Sequence, residues 1–131
     1  MARIKSVNTV PELKLRRALW KLGIRGYKLH QSQLPGCPDI AFTRKKVAVF
    51  VDGDFWHGYN WKFKGIVPKK GYWLSKISKN IKRRKEVRAR LQKSGWVVVE
   101  IWEHDIIRDA YKQANIIKSI LKKRSSLLNN N

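Results

Sequence analysis

Apolar residues recur at helical spacing across Val10–Leu22, through Leu15, Ala18, Leu19 and Leu22, and predict an amphipathic helix. Thr9 is placed to cap its start, Glu12 follows three residues later as in a capping box, and Gly23 can end it. The pattern then shortens. An extended piece at Tyr27–Gln31 leads through the turn-rich Leu34-Pro35-Gly36-Cys37-Pro38 to Asp39–Phe42. After the polar connection Thr43–Lys46, the β-branched and aromatic run Val47–Asp52 suits a buried strand. Gly53–Tyr72 shows no period and holds Phe55, Trp56, His57, Tyr59, Trp61 and Phe63; a loop this long in a small domain is usually functional.

Helical spacing returns over Trp73–Lys93, with Leu74, Ile77, Ile81, Val87 and Leu91, and stops near Gly95. Trp96–Trp102 reads as another buried strand, and Asp105–Lys123 as a last helix through Ile106, Ala110, Ile117 and Leu121. The order is α, three β segments, then α, β, α. Strands separated by helices predict the α/β class, a mixed central sheet with helices packed on its faces. Residues 1–124 read as a single domain and 125–131 as a polar, flexible tail.

Charge changes this picture most. Lys and Arg number 30 against 9 Asp and Glu, a formal net charge of +21 on 131 residues. Self-repulsion on that scale favours a polyanionic partner, and nucleic acid is preferred over an anionic membrane surface. The imbalance concentrates on the Trp73–Lys93 helix, where Lys76, Lys79, Lys82, Arg83, Arg84, Lys85, Arg88, Arg90 and Lys93 share one acid, Glu86. A solvated helix face ordinarily mixes its charges, so this face is expected to contact phosphates. Cys37 is the sole cysteine, which excludes a disulfide framework and a cysteine-rich zinc site. Neither a spanning apolar run nor a secretory signal is visible, so the chain reads as intracellular.

Candidate chemistry lies at strand ends. Asp39 opens one strand, and Asp52 closes the next thirteen residues later. Carboxylates so placed can hold a divalent ion against a phosphate, although Pro38-Asp39 alone reads first as a turn-to-strand junction and only then as catalytic. Val51–Gly58 (VDGDFWHG) adds two carboxylates, an imidazole and two large aromatics. His57, between glycines, suits a metal ligand or proton-transfer group better than a core position. Phe55 and Trp56 suit either core packing or wedging between base pairs.

The blocks TVPELKLRRAL, LPGCPDI, VFVDGDFWHG, YWLSKISKNI and GWVVVEIWEHD, in this order and spacing, resemble the very short patch repair endonucleases, a branch of the PD-(D/E)xK nucleases. The resemblance spans about Ser6 to Glu103 and implies a restriction-endonuclease-like α/β/α sandwich and a Mg2+-dependent DNA endonuclease, with Mn2+ as a substitute. Asp39 would then be the metal-binding aspartate, with Val51 lending a backbone carbonyl. His57 would activate water, Glu12 would reach the site from the first helix, and Phe55 and Trp56 would intercalate. For Glu12 a purely capping role stands beside this one.

Three departures follow. The family's zinc positions read Asp54, Tyr59, Trp61 and His104, so no zinc is expected. A threonine and a histidine of the family are replaced by Val51 and Asp52, and Asp52 is expected to give the metal a second carboxylate. An Arg-Asp pair of the basic helix is Arg83-Arg84, which weakens catalysis or passes the acid's role to Glu86, Asp52 or Asp54. Double-stranded DNA is the expected partner, cut or nicked at a mismatch, a specific site or a distorted structure, with a partner protein or further domain as candidates for setting the target. The rival readings are a DNA-binding module that has lost turnover and an RNA-binding protein.

Overall fold

The computed structural model describes residues 8–53 and 71–129. Helix α1 spans Val10–Lys21. Its start is capped by Thr9, whose side-chain oxygen accepts from the Glu12 N–H at 3.4 Å, with Pro11 in the first turn. Gly23, at φ +82°, ends it, and the Ile24 N–H donates back to the Leu19 carbonyl at 2.9 Å.

Strands β1 (Lys28–Leu29), β2 (Ile40–Phe42), β3 (Val47–Asp52) and β4 (Val97–Trp102) form one sheet in the order β1-β2-β3-β4. The first three are antiparallel neighbours, and β3 and β4 pair in parallel with Val47 opposite Val97 and Asp52 opposite Trp102. The parallel pair needs a long crossover, which contains helix α2, Gly71–Lys93. After β4 come α3 (Glu103–Arg108) and α4 (Ala110–Asn129).

Strand alternation divides the core between two faces. Val47 and Val49 of β3 and Val99 and Ile101 of β4 pack with Leu15, Ala18 and Leu19 of α1, Ile106 of α3, and Ala114, Ile117 and Leu121 of α4. Ala48 and Phe50 face the other way, onto Val87 and Leu91 of α2. The expected mixed sheet with helices on both faces is therefore present. Among the described residues, no helix is long and apolar enough to cross a membrane.

Two local differences from the sequence reading have clear causes. The single last helix is broken at Asp109, whose backbone is extended and whose carboxylate accepts from the Lys112 N–H at 3.0 Å. Beyond the break, α4 runs on to Asn129 instead of ending near Lys123. Arg124 braces that end, donating to the carbonyls of Lys45 and Gly95, both at 2.9 Å.

The Leu34–Pro38 turn is pressed against α2. Gly36 has φ +75°, and a Cβ there would lie 2.6 Å from Val87 Cγ1 and 3.3 Å from Phe50 Cε1. Gly36→Ala is expected to lower stability by about 1–3 kcal/mol through backbone strain and the clash. In urea unfolding, adding Val87→Ala should recover the clash part, giving less than the sum of the two single costs; simple additivity would refute this.

Candidate metal centre

Three elements bring together side chains that are far apart in sequence. The first turn of α1 points Glu12 inward, leaving it 1% exposed. The β1–β2 pairing extends one step beyond its ladder, so that the His30 N–H donates to the Asp39 carbonyl at 3.1 Å. The loop between them is closed by its own backbone: Gln31 N–H to Pro38 O at 3.3 Å, Leu34 N–H to Gln31 O at 3.1 Å, and Cys37 N–H to Leu34 O at 3.0 Å. His30 and Cys37 both adopt positive φ, +47° and +51°. Non-glycine residues held in that region cost energy and concentrate at functional sites.

The result is a cluster of Glu12, His30 and Asp39 whose ligand atoms lie within 4.8 Å of one another. His30 Nε2 is 2.7 Å from Glu12 Oε2, and Arg16 Nη1 donates to the same oxygen at 2.9 Å. The Glu12 carboxylate is thus directed into the site while its backbone N–H serves the helix cap. Only the backbone half of the capping box is seen, and the side chain is engaged by His30 and Arg16. Asp39 is held from the sheet, since the Val51 N–H donates to its Oδ2 at 2.8 Å and its own N–H donates to the Val49 carbonyl at 3.0 Å. The Val51 N–H thus lies against the Asp39 carboxylate. Two carboxylates and an imidazole suit a divalent cation: oxygen donors meet the preference of Mg2+, and imidazole is also accepted by transition ions.

Asp52 does not join this cluster, contrary to expectation. Its side chain shares the face of Ala48 and Phe50, where Nη1 of Arg84 lies 2.6 Å from each of its carboxylate oxygens. Arg84 Nη1 also reaches Glu100 at 3.3 Å, and its guanidinium lies 4.1 Å over the Phe50 ring. Arg88 completes the network, donating from Nε and Nη2 to Glu100 at 2.8 and 2.9 Å. Burial works against the ionised Glu100, but the hydrogen bond and charge of Arg88, with the charge of Arg84, outweigh it and hold the carboxyl below its ordinary value. The hydrogen bond to Glu100 in turn raises Arg88.

Arg84, expected on DNA, is instead turned inward, with a side chain 15% exposed. Lys79 and Arg83 are exposed on α2 and Lys76 is half-buried, so these remain on the outer basic face with Lys82, Lys85, Arg90 and Lys93. Glu86 is also exposed on α2. Phe55, Trp56, His57 and Asp54 lie outside the described residues, as do two of the other expected zinc-replacing positions, Tyr59 and Trp61. The fourth, His104, stacks on Trp102 with ring centroids 6.5 Å apart and lies 3.4 Å from the Asp105 carboxylate.

His30 is the residue that sequence reasoning missed. The available signal was the pairing of the Tyr27–Gln31 piece with Asp39–Phe42 across a closed turn, which sets His30 opposite Asp39.

An α/β sheet with an acidic and imidazole cluster near its strand ends is an arrangement that suits a nuclease, and comparison with known proteins points to the same class. The family model described as DNA mismatch endonuclease Vsr matches residues 1–63. The Type II nicking enzyme V.NmeDIP of Neisseria meningitidis serogroup C is 38% identical over 125 residues, covering 94% of this chain and 84% of its own length. The Type II nicking enzyme V.HpaIIP of Haemophilus parainfluenzae is also 38% identical over 125 residues, covering 94% and 88%. The DNA mismatch endonuclease Vsr of Escherichia coli K12 is 33% identical over 104 residues, covering 79% and 66%. The chain belongs to the Vsr family of DNA endonucleases.

Proposed function

We propose that this endonuclease nicks one strand of duplex DNA with a divalent cation, Mg2+ or Mn2+, held by Asp39, Glu12 and His30. The observation that carries the reading is the convergence of those three side chains within 4.8 Å. Such a cation polarises a phosphoryl oxygen and lowers the pKa of a bound water. The chain's own residues supply the rest. The Val51 N–H fixes the orientation of Asp39, Arg16 and His30 fix that of Glu12, and the exposed cations of α2 hold the DNA backbone. His57, between the glycines of the Gly53–Gly58 stretch, is proposed as the group that activates water, with Phe55 and Trp56 entering the base stack. Nicking, as opposed to a double-strand cut, is favoured by relatives named as nicking enzymes. The protein is proposed to act in a bacterial cytoplasm.

The rival, a binding module without turnover, draws on Arg84 standing where the family carries an acid. Arg84 is paired with Asp52 and lies outside the Glu12–His30–Asp39 cluster, so the three side chains that carry the nuclease reading do not include that position. Supercoiled plasmid incubated with Mg2+ or Mn2+ should become open circles, and EDTA should stop the reaction. His30→Ala removes one of the three proposed ligands and should slow nicking by more than about 100-fold, beyond the roughly 10- to 100-fold scale of residues that only support metal ligands. Unaltered plasmid at every metal concentration, with DNA binding retained, would establish the rival. Matched and T:G-mismatched duplexes in the same assay then assign the target class.

A further inference from the structure

A second charged feature lies away from the candidate metal centre. A cleft of about 660 Å3 opens between the α1–β1 connection, the β2–β3 turn and the outer side of α4. Its lining includes Arg25, Arg44, Lys45, Lys118 and Lys122, with no carboxylate among the lining residues. Ile24, Phe42 and Leu121 contribute an apolar floor that joins the main core, and Thr43 and Ser125 contribute hydroxyls. Gly23 and Gly26 leave the remaining wall open, with no atom within 4 Å of where a Cβ would stand.

The cleft is well separated from the cluster. From Asp39 to Thr43 along β2 is about 13 Å at ~3.3 Å per residue. From Glu12 to Gly23 along α1 is about 16 Å at ~1.5 Å per residue. Two independent elements therefore set the cleft roughly one and a half nanometres from the metal centre. The α2 cations are on the opposite face of the sheet.

Like charges gathered around a low-dielectric floor repel each other and focus a positive potential into the concavity. An anion there relieves the repulsion, and the flanking hydroxyls supply donors that discriminate little among phosphate esters. The volume falls in the range that encloses an organic ligand, more than a lone phosphate ion needs. Arg25 is already ordered, stacked 3.7 Å over Trp20 and bonded to the Trp20 carbonyl at 3.2 Å. The β2–β3 turn is likewise held by the Arg124 bond to Lys45 O. The walls are preorganised, which lowers the cost of binding.

We propose that this cleft is a second nucleic-acid contact, which takes a stretch of DNA backbone apart from the segment engaged at the Glu12–His30–Asp39 cluster. The proposal rests on the chain's action on DNA but not on its metal chemistry. It is tested without turnover, by titrating isotope-labelled protein in EDTA with a 30-base-pair duplex and, separately, with inorganic phosphate, while following backbone amides by NMR. Saturable shifts at Gly23, Gly26, Thr43 and Ser125 are expected with the duplex, and weaker ones at the same amides with inorganic phosphate. The Arg44→Gln/Lys118→Gln/Lys122→Gln variant, whose spectrum also reports that it is folded, should lose those shifts. Its salt dependence of duplex affinity should be shallower by about 2–3 units of log–log slope, close to one for each phosphate no longer neutralised. Shifts confined to α2 and the cluster, shifts with inorganic phosphate but not duplex, or an unchanged slope would each overturn the proposal. Because no cleavage is read, failure of the metal-centre assignment would leave these outcomes unaffected.

Discussion

Asp39→Asn is expected to reduce plasmid nicking by at least about a thousandfold while leaving metal-free DNA binding intact. Metal stabilisation of the charge developing on phosphate is worth several kcal/mol, and each 1.36 kcal/mol is about tenfold in rate. Asparagine retains an oxygen to accept the Val51 N–H, so the strand start that positions the residue is preserved. What is lost is the negative charge. A variant that nicks within tenfold of the parent, by initial rates at saturating Mg2+, would show that the metal is held elsewhere.

The second large effect concerns stability. Asp52 and Arg84 are almost entirely enclosed, their side chains 7% and 15% exposed, and Glu100 shares the same guanidinium. Removing one partner of a buried pair strands the other charge, at a cost of roughly 3–5 kcal/mol. Arg84→Ala leaves Asp52 without its guanidinium and uncovers Phe50, so a fall in melting temperature of about 10–20 °C is expected for a domain of this size. Replacing both residues with leucine removes the stranded charge and should recover most of the loss. Calorimetry showing Arg84→Ala within 2 °C of the parent would contradict the buried-pair assignment. Asp52 and Arg84 are two of the positions at which the sequence is expected to depart from the family it resembles, and the two side chains meet in space.

Much of the frame was legible because it is written in short periods. The helical spacing and the Thr9 cap marked α1, and the β-branched runs marked β3 and β4. Elements set by pairing were harder. The Tyr27–Gln31 piece forms only a two-residue ladder, Lys28–Leu29, since a positive φ at His30 turns the chain out of the strand. The break at Asp109 was hidden because Ile106, Ala110, Ile117 and Leu121 keep one apolar stripe across two helices; only the aspartate's capping preference signalled it.

The site divides in the same way. Asp39 and Glu12 stand in motifs, and the structure sets them together. His30 carries no motif, and its partner lies across a closed loop, so its role depends on register that local patterning does not contain. The face taken by Asp52 did follow from alternation. It has the same parity as Phe50, which sends its side chain to α2, whereas the charge of the residue had suggested the metal. Geometry overrides residue type here.

Mn2+ binding read by paramagnetic broadening tests the metal centre most directly. Titrated at substoichiometric levels into labelled protein, Mn2+ should broaden the His30 imidazole and the amides of Asp39 and Val51 first, and Asp39→Asn should abolish the effect. Broadening centred instead on Asp52, Arg84 and Glu100, or broadening at His30 that survives Asp39→Asn, would contradict the assignment.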